Sequence, residues 1–125
     1  MNKRIDLEHA PPRHGTGYPA PFDAPCRARQ RWKLGDAAGL TQVGINRLRL
    51  PPGTWSSQRH WHSAEDEFVY VLEGTVELVT DAGVEVLSAG DCAGFPAGEA
   101  NKSRESWAAL SDAMFAADVG RDAAV

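Results

Sequence analysis

From Pro51 onward, turn signals recur along the chain at short intervals. Pro51-Pro52-Gly53, Glu73-Gly74, Asp81-Ala82-Gly83 and Ser88-Ala89-Gly90-Asp91 punctuate the chain, and Gly98 closes a further short run. The pieces between them are β-prone: Glu67 to Leu72, Thr75 to Val79, Val84 to Leu87 and Ala93 to Pro96. Strands of about five residues with turns roughly every 8–12 residues predict an antiparallel sandwich or barrel. The expected fold class is therefore all-β.

Upstream, Arg27 to Leu34 alternates loosely and reads as a first strand, with Trp32 and Leu34 on its apolar face. Leu40 to Leu50 is the next strand. Alternation there puts Gly44, Asn46, Leu48 and Leu50 on one face and Ile45, Arg47 and Arg49 on the other. The arginines belong in water, so Asn46 points inward, as hydrogen-bonded core or as pocket lining. Residues 1–26 hold five of the eight prolines, at positions 11, 12, 19, 21 and 25. Proline fixes φ and lacks an amide donor, so an extended arm is expected there, pinned by Tyr18 and Phe22. Its His9 and His14 read as solvent-exposed. The domain proper then spans 27–120, with 121–125 as a tail. Residues 106–117 are ambiguous. Alanine and methionine are weak strand formers, which allows a helix, yet barrel closure favours a hairpin.

A chain of 125 residues suits one domain. Its net charge of −4 weighs against nucleic acid. The one basic cluster, Arg27 to Lys33, reads as a solvated strand edge. The N-terminus lacks the apolar segment of a signal peptide, and no run has the length of a membrane span. Cys26 and Cys92 lie far apart, as free thiols of a cytoplasmic protein would, with Cys92 expected to fill core.

The chemistry concentrates between Gly53 and Gly74. His60 and His62 are one residue apart in a strand-like run, which points both imidazoles at one face. Glu67 opens the next strand after a polar turn. Two histidines and a carboxylate suit a divalent cation such as Fe, Mn, Zn or Ni and leave coordination positions open for water or substrate. Glu67 heads an apolar strand, and a buried carboxylate needs a cation or donors to offset its desolvation. Glu65, in the turn, is the alternative carboxylate. Gln58 shares the histidines' face and is a pocket candidate beside Asn46.

The spacing G-x6-HxH-x4-E-x6-G, carried by Gly53, His60, His62, Glu67 and Gly74, resembles the first motif of the cupin superfamily. The stretch from Gly90 to Asn101 is similar to the second, G-x5-PxG-x2-H, with Gly90, Pro96 and Gly98 in place and Asn101 in the histidine slot. The resemblance covers roughly residues 40–120. It implies a small antiparallel jelly-roll β-barrel, a metal held inside it, and often a dimer. It does not fix a reaction, because one fold hosts many chemistries. Three readings follow, the third being an interaction protein whose barrel is scaffold only. The first is a metal-dependent enzyme acting on a small molecule, with Gln58, Asn46 and Asn101 orienting substrate or water. The second is a non-catalytic small-molecule binding or sensing cupin whose metal site is weakened or lost, which the asparagine at position 101 favours. In the strand from Glu67, alternation leaves Phe68, Tyr70 and Leu72 on the face away from the site. An open aromatic patch of that kind calls for a cover, and a homodimer is the expected one.

Overall fold

The computed structural model describes residues 3–9, 11–57, 66–97 and 106–120. Nine strands, one short α-helix and two single-turn 3-10 helices (Leu7–His9 and Ala24–Cys26) appear among them. The strands and the α-helix are β1 (Arg13–His14), β2 (Gln30–Lys33), α1 (Leu34–Ala37), β3 (Val43–Leu50), β4 (Glu67–Glu73), β5 (Thr75–Thr80), β6 (Gly83–Ser88), β7 (Cys92–Phe95), β8 (Ser106–Ala109) and β9 (Ala113–Gly120). All pairings are antiparallel. One sheet has six strands in the order β1-β2-β3-β9-β4-β7; the other has three, β6-β5-β8. The expected all-β class holds. Among the described residues the strands form these two separate sheets rather than one hydrogen-bonded barrel.

Both sheets contribute to a single apolar cluster. Leu48, Leu50, Val69, Val71, Ala113 and Phe115 come from the large sheet, and Val76, Leu78, Leu87, Trp107 and Ala109 from the small one. Residues opposite each other in an antiparallel ladder point to the same face. The register therefore sorts the inward face of the large sheet into rows. Leu48, Phe115 and Val71 form one row, because Phe115 pairs with both of the others. Trp107 crosses from the small sheet to meet Phe115 at 6.1 Å and Phe95 edge-on at 6.3 Å between ring centroids.

Residues 106–117 are strands, as barrel closure required, but they do not form a hairpin. β8 pairs with β5 in the small sheet, while β9 lies between β3 and β4 in the large one. The link through Leu110, Ser111 and Asp112 is a crossing between sheets. Glu73-Gly74, connecting β4 to β5, is a second such crossing, and the two are bonded together. Leu110 N–H donates to the Thr75 carbonyl at 2.9 Å, and Thr75 N–H donates to Ser111 Oγ at 3.0 Å. Gly74 has φ of 76°, and a Cβ there would run into the Asp112 carbonyl oxygen. Glycine is the residue this junction accepts.

Three readings of orientation need correction. Leu34 leaves the strand to begin α1, and Trp32 lies on the outer face, paired with Arg47, whose guanidinium stacks 4.3 Å from its ring centroid. Arg31 pairs with Leu48 and Lys33 with Asn46, so these two cations share the inward face instead of a solvated edge. Cys92 is exposed, because it pairs with Tyr70 on the outer face and leaves Ala93 and Phe95 to face the core. Phe22 is 56% exposed, whereas Cys26 nearby is fully buried. Within residues 1–26, β1 adds an edge strand to β2, where proline-rich sequence is tolerated.

Candidate functional site

The chain enters and leaves the histidine motif at fixed points. Before it, Ser56 N–H donates to the Trp107 carbonyl at 2.7 Å, and Trp107 N–H donates back to Ser56 Oγ at 3.1 Å. Ser106 Oγ donates to the Ser57 carbonyl at 2.5 Å. Both serines are buried, so β8 anchors the approach. After the motif, Ala97 N–H donates to Asp66 Oδ1 at 2.8 Å, which ties the start of β4 to the end of β7. His60, His62, Gln58, Glu65 and Asn101 lie outside the described residues.

Glu67 is the first residue of β4 and is half-buried, with its Oε2 withdrawn from solvent. Its burial follows from alternation: Glu67, Val69 and Val71 share the inward face, and Phe68, Tyr70 and Leu72 the outer one. The register sets Glu67 between Phe95 on β7 and Val119 on β9, with Gly44 opposite Val119. The next row towards the core runs Lys33, Asn46, Ala117, Val69, Ala93. Asn46 is thus inward and half-buried, as alternation predicts, one row from Glu67. The third row begins with Arg13 and Arg31 and continues into Leu48, Phe115 and Val71. Polar and charged groups occupy the Glu67 end of the inward face and the β1–β2 flank, and apolar residues fill the rest.

Among the described residues, no group of three or more His, Cys, Asp or Glu could hold a metal ion. Glu67 is the one expected ligand that falls within them. A carboxylate oxygen drawn out of solvent on an inward strand face, in a sequence that carries two histidines five and seven residues before it, is a donor set that fits a borderline divalent cation.

Two features escaped the sequence reading. One is Arg31: burial first, then the like charges of Arg29 and Arg13, hold its guanidinium below the usual arginine range, with Asp36 opposing weakly. The alternation of Arg27, Arg29 and Arg31 was visible, but which face they take depends on pairing with β3. The other is Trp107, almost fully buried, whose indole Nε1 has no acceptor among the described residues.

Two facing antiparallel sheets, with a carboxylate on the inward face of the larger one, define a small all-β sandwich class. The chain belongs to the cupin superfamily. The cupin domain family matches residues 46–102. A sugar phosphate isomerase of the cupin superfamily from Silicibacter pomeroyi is 40% identical, with a TM-score of 0.89, over 95% of this chain and 76% of that one. A candidate sugar phosphate isomerase from Acidithiobacillus ferrooxidans is 30% identical, with a TM-score of 0.69, over 75% of this chain and 60% of that one. A candidate oxalate decarboxylase from Thermotoga maritima shares the fold at 21% identity and a TM-score of 0.69, over 96% of this chain and 98% of that one. No curated protein matches the chain.

Proposed function

We propose that this chain is a metal-dependent cupin enzyme that isomerises a phosphorylated sugar, with the cation held by His60, His62 and Glu67. The observation that carries this reading is the 40% identity to a sugar phosphate isomerase across 95% of the chain. The inward, half-buried Glu67 supports the ligand set. A divalent cation so bound would supply Lewis-acid polarisation of a sugar carbonyl, the chemistry that eases proton transfer between adjacent carbons. Glu67 supplies the one anionic ligand. Asn46, with Gln58 and Asn101, orients sugar hydroxyls or water through amide donors and acceptors. Asn101 in place of imidazole leaves three strong protein ligands, so coordination positions stay open for substrate. The apolar rows behind Asn46 exclude bulk water from the site.

The competing reading is a non-catalytic cupin that binds a small molecule with a weakened metal site, favoured by Asn101 itself. Incubation of aldose and ketose phosphates with metal-loaded and chelator-treated protein separates the two. The enzyme reading expects interconversion that chelation stops and added metal restores. Tight sugar phosphate binding with no interconversion under any metal supports the binding reading instead.

The same proposal includes a closed barrel, a cytoplasmic setting and a homodimer. Phe68, Tyr70 and Leu72 are 45%, 40% and 42% exposed, and no described part of the N-terminal stretch covers them. Full burial of each is worth roughly 1.5–3 kcal/mol, and a two-fold contact between copies would supply the part, under half, that their present exposure leaves. Sedimentation at tens of micromolar checks this, and a monomer there rules out a tight dimer.

A further inference from the structure

The β1–β2 flank carries cations where an inward sheet face ordinarily carries apolar side chains. Arg13 pairs with Arg31, Arg31 with Leu48, and Lys33 with Asn46, so all three share the inward face. On the outer face, Arg49 is fully engaged, and Arg47 has a stacked ring although its Nε also lacks an acceptor among the described residues. Arg49 donates to Asp112 at 2.6 and 3.0 Å and to Gln30 at 3.3 Å, and Arg47 stacks on Trp32. Arg29 is likewise engaged, donating to the Gly15 carbonyl at 3.1 Å and the Ser56 carbonyl at 2.6 Å. Arg31 differs. It is half-buried, and its Nε is buried with no acceptor among the described residues. The charges acting on it are mostly of its own sign, and Asp36, the one described carboxylate among them, lies 4.0 Å from Lys33.

A partly desolvated guanidinium crowded by like charges and short of acceptors is costly unless an anion sits there. Arginine's planar fork matches a phosphate oxygen pair, and several cations suit a dianion better than a single carboxylate. We infer that Arg31, with Arg13 and Lys33 beside it, is the seat for the phosphate group of a phosphorylated substrate. Its sugar would lie along the row of Asn46 towards Glu67. Arg29, by bonding the Ser56 carbonyl, ties this flank to the segment that leads into the histidines. The inference rests on the sugar phosphate reading for its substrate, but it names residues that reading does not need.

The test is calorimetric titration of the full chain with inorganic phosphate, a hexose phosphate, the unphosphorylated hexose and a sugar carboxylate. The expected result is binding of both phosphates, weakened at least about tenfold in Arg31→Gln and less in Arg31→Lys, as loss of a charge-assisted contact requires. Arg47→Gln, on the opposite face, should bind phosphate as the unaltered chain does, and divalent metal affinity should be the same in every variant. If Arg31→Gln fails to fold by circular dichroism, Arg13→Gln, at an exposed position, carries the same test with a several-fold loss expected. Unchanged phosphate affinity in the folded variants, or no phosphate binding by the unaltered chain, overturns the seat. A sugar carboxylate bound more tightly, with the same Arg31 dependence, overturns phosphate as its ligand. Isomerisation that proceeds with unchanged KM in Arg31→Gln removes the seat and keeps the reaction. Arg31-dependent phosphate binding without isomerisation does the reverse.

Discussion

The inward face of the six-stranded sheet has two ends built on the same strands, and they follow opposite rules. At one end, Leu50, Ala113, Leu48, Phe115 and Val71 are buried and meet the small sheet across a dry interface. At the other, the same strands present Glu67 and Asn46, with Lys33 beside Asn46 on the flanking strand and Arg31 one row further along it, opposite Leu48. The apolar end offsets the chain's conformational entropy, whereas the polar end places charge where burial makes it costly. Such a concentration of polar groups on rigid strands is how a fold holds a site in place.

The largest break in this contrast should come from Phe115→Ala. Phe115 is fully buried at the centre of the apolar row and touches Trp107. Its truncation should lower unfolding free energy by about 3–5 kcal/mol in denaturant titration. Metal and phosphate affinities of the folded fraction should not change. Asn46→Leu tests the other end. It extends the apolar row by one position, so stability should stay within about 1 kcal/mol or rise, while sugar phosphate affinity falls several-fold. A large loss of stability would show that Asn46 is structural core, not pocket.

How much was legible follows from where alternation decides and where pairing does. The face of β3 could be read from sequence because Arg47 and Arg49 admit one orientation, and that of β4, apolar on both sides, because Glu67 was assigned to the site and carries Val69 and Val71 with it. The family could be read too, because His60, His62, Glu67 and the flanking glycines fall at fixed spacings. The orientation of β2 could not. Arg31 and Lys33 face inward only because Arg31 pairs with Leu48, a long-range register that no local pattern encodes. The sheet assignment of β8 and β9 failed for the same reason. Their strand character was local, but their partners lie more than 25 residues away in β5 and more than 40 away in β4 and β3. Cys92 was misplaced because its short strand has too few residues to show an alternation.

The smallest effect belongs to the outer face. The hydrogen bond from Arg49 holds the Asp112 carboxyl below its ordinary value of 3.8. A carboxylate with a lowered folded-state pKa stabilises the fold above that ordinary value, and the contribution fades as pH falls through the folded value. Both side chains are exposed, so the effect should be slight and should shrink further with salt. Asp112→Asn should therefore flatten the acid limb of the stability profile only below about pH 4 and leave neutral-pH stability and ligand binding nearly unchanged.

The central claim is that the polar end holds a divalent cation through His60, His62 and Glu67. Titration of Mn(II) or Zn(II) into the full chain, compared with Glu67→Gln and His60→Ala, tests it most directly. The account predicts one saturable site per chain and an affinity at least about a hundredfold weaker in each variant, since each loses one of three ligands. Equal affinity in Glu67→Gln and the unaltered chain would contradict it.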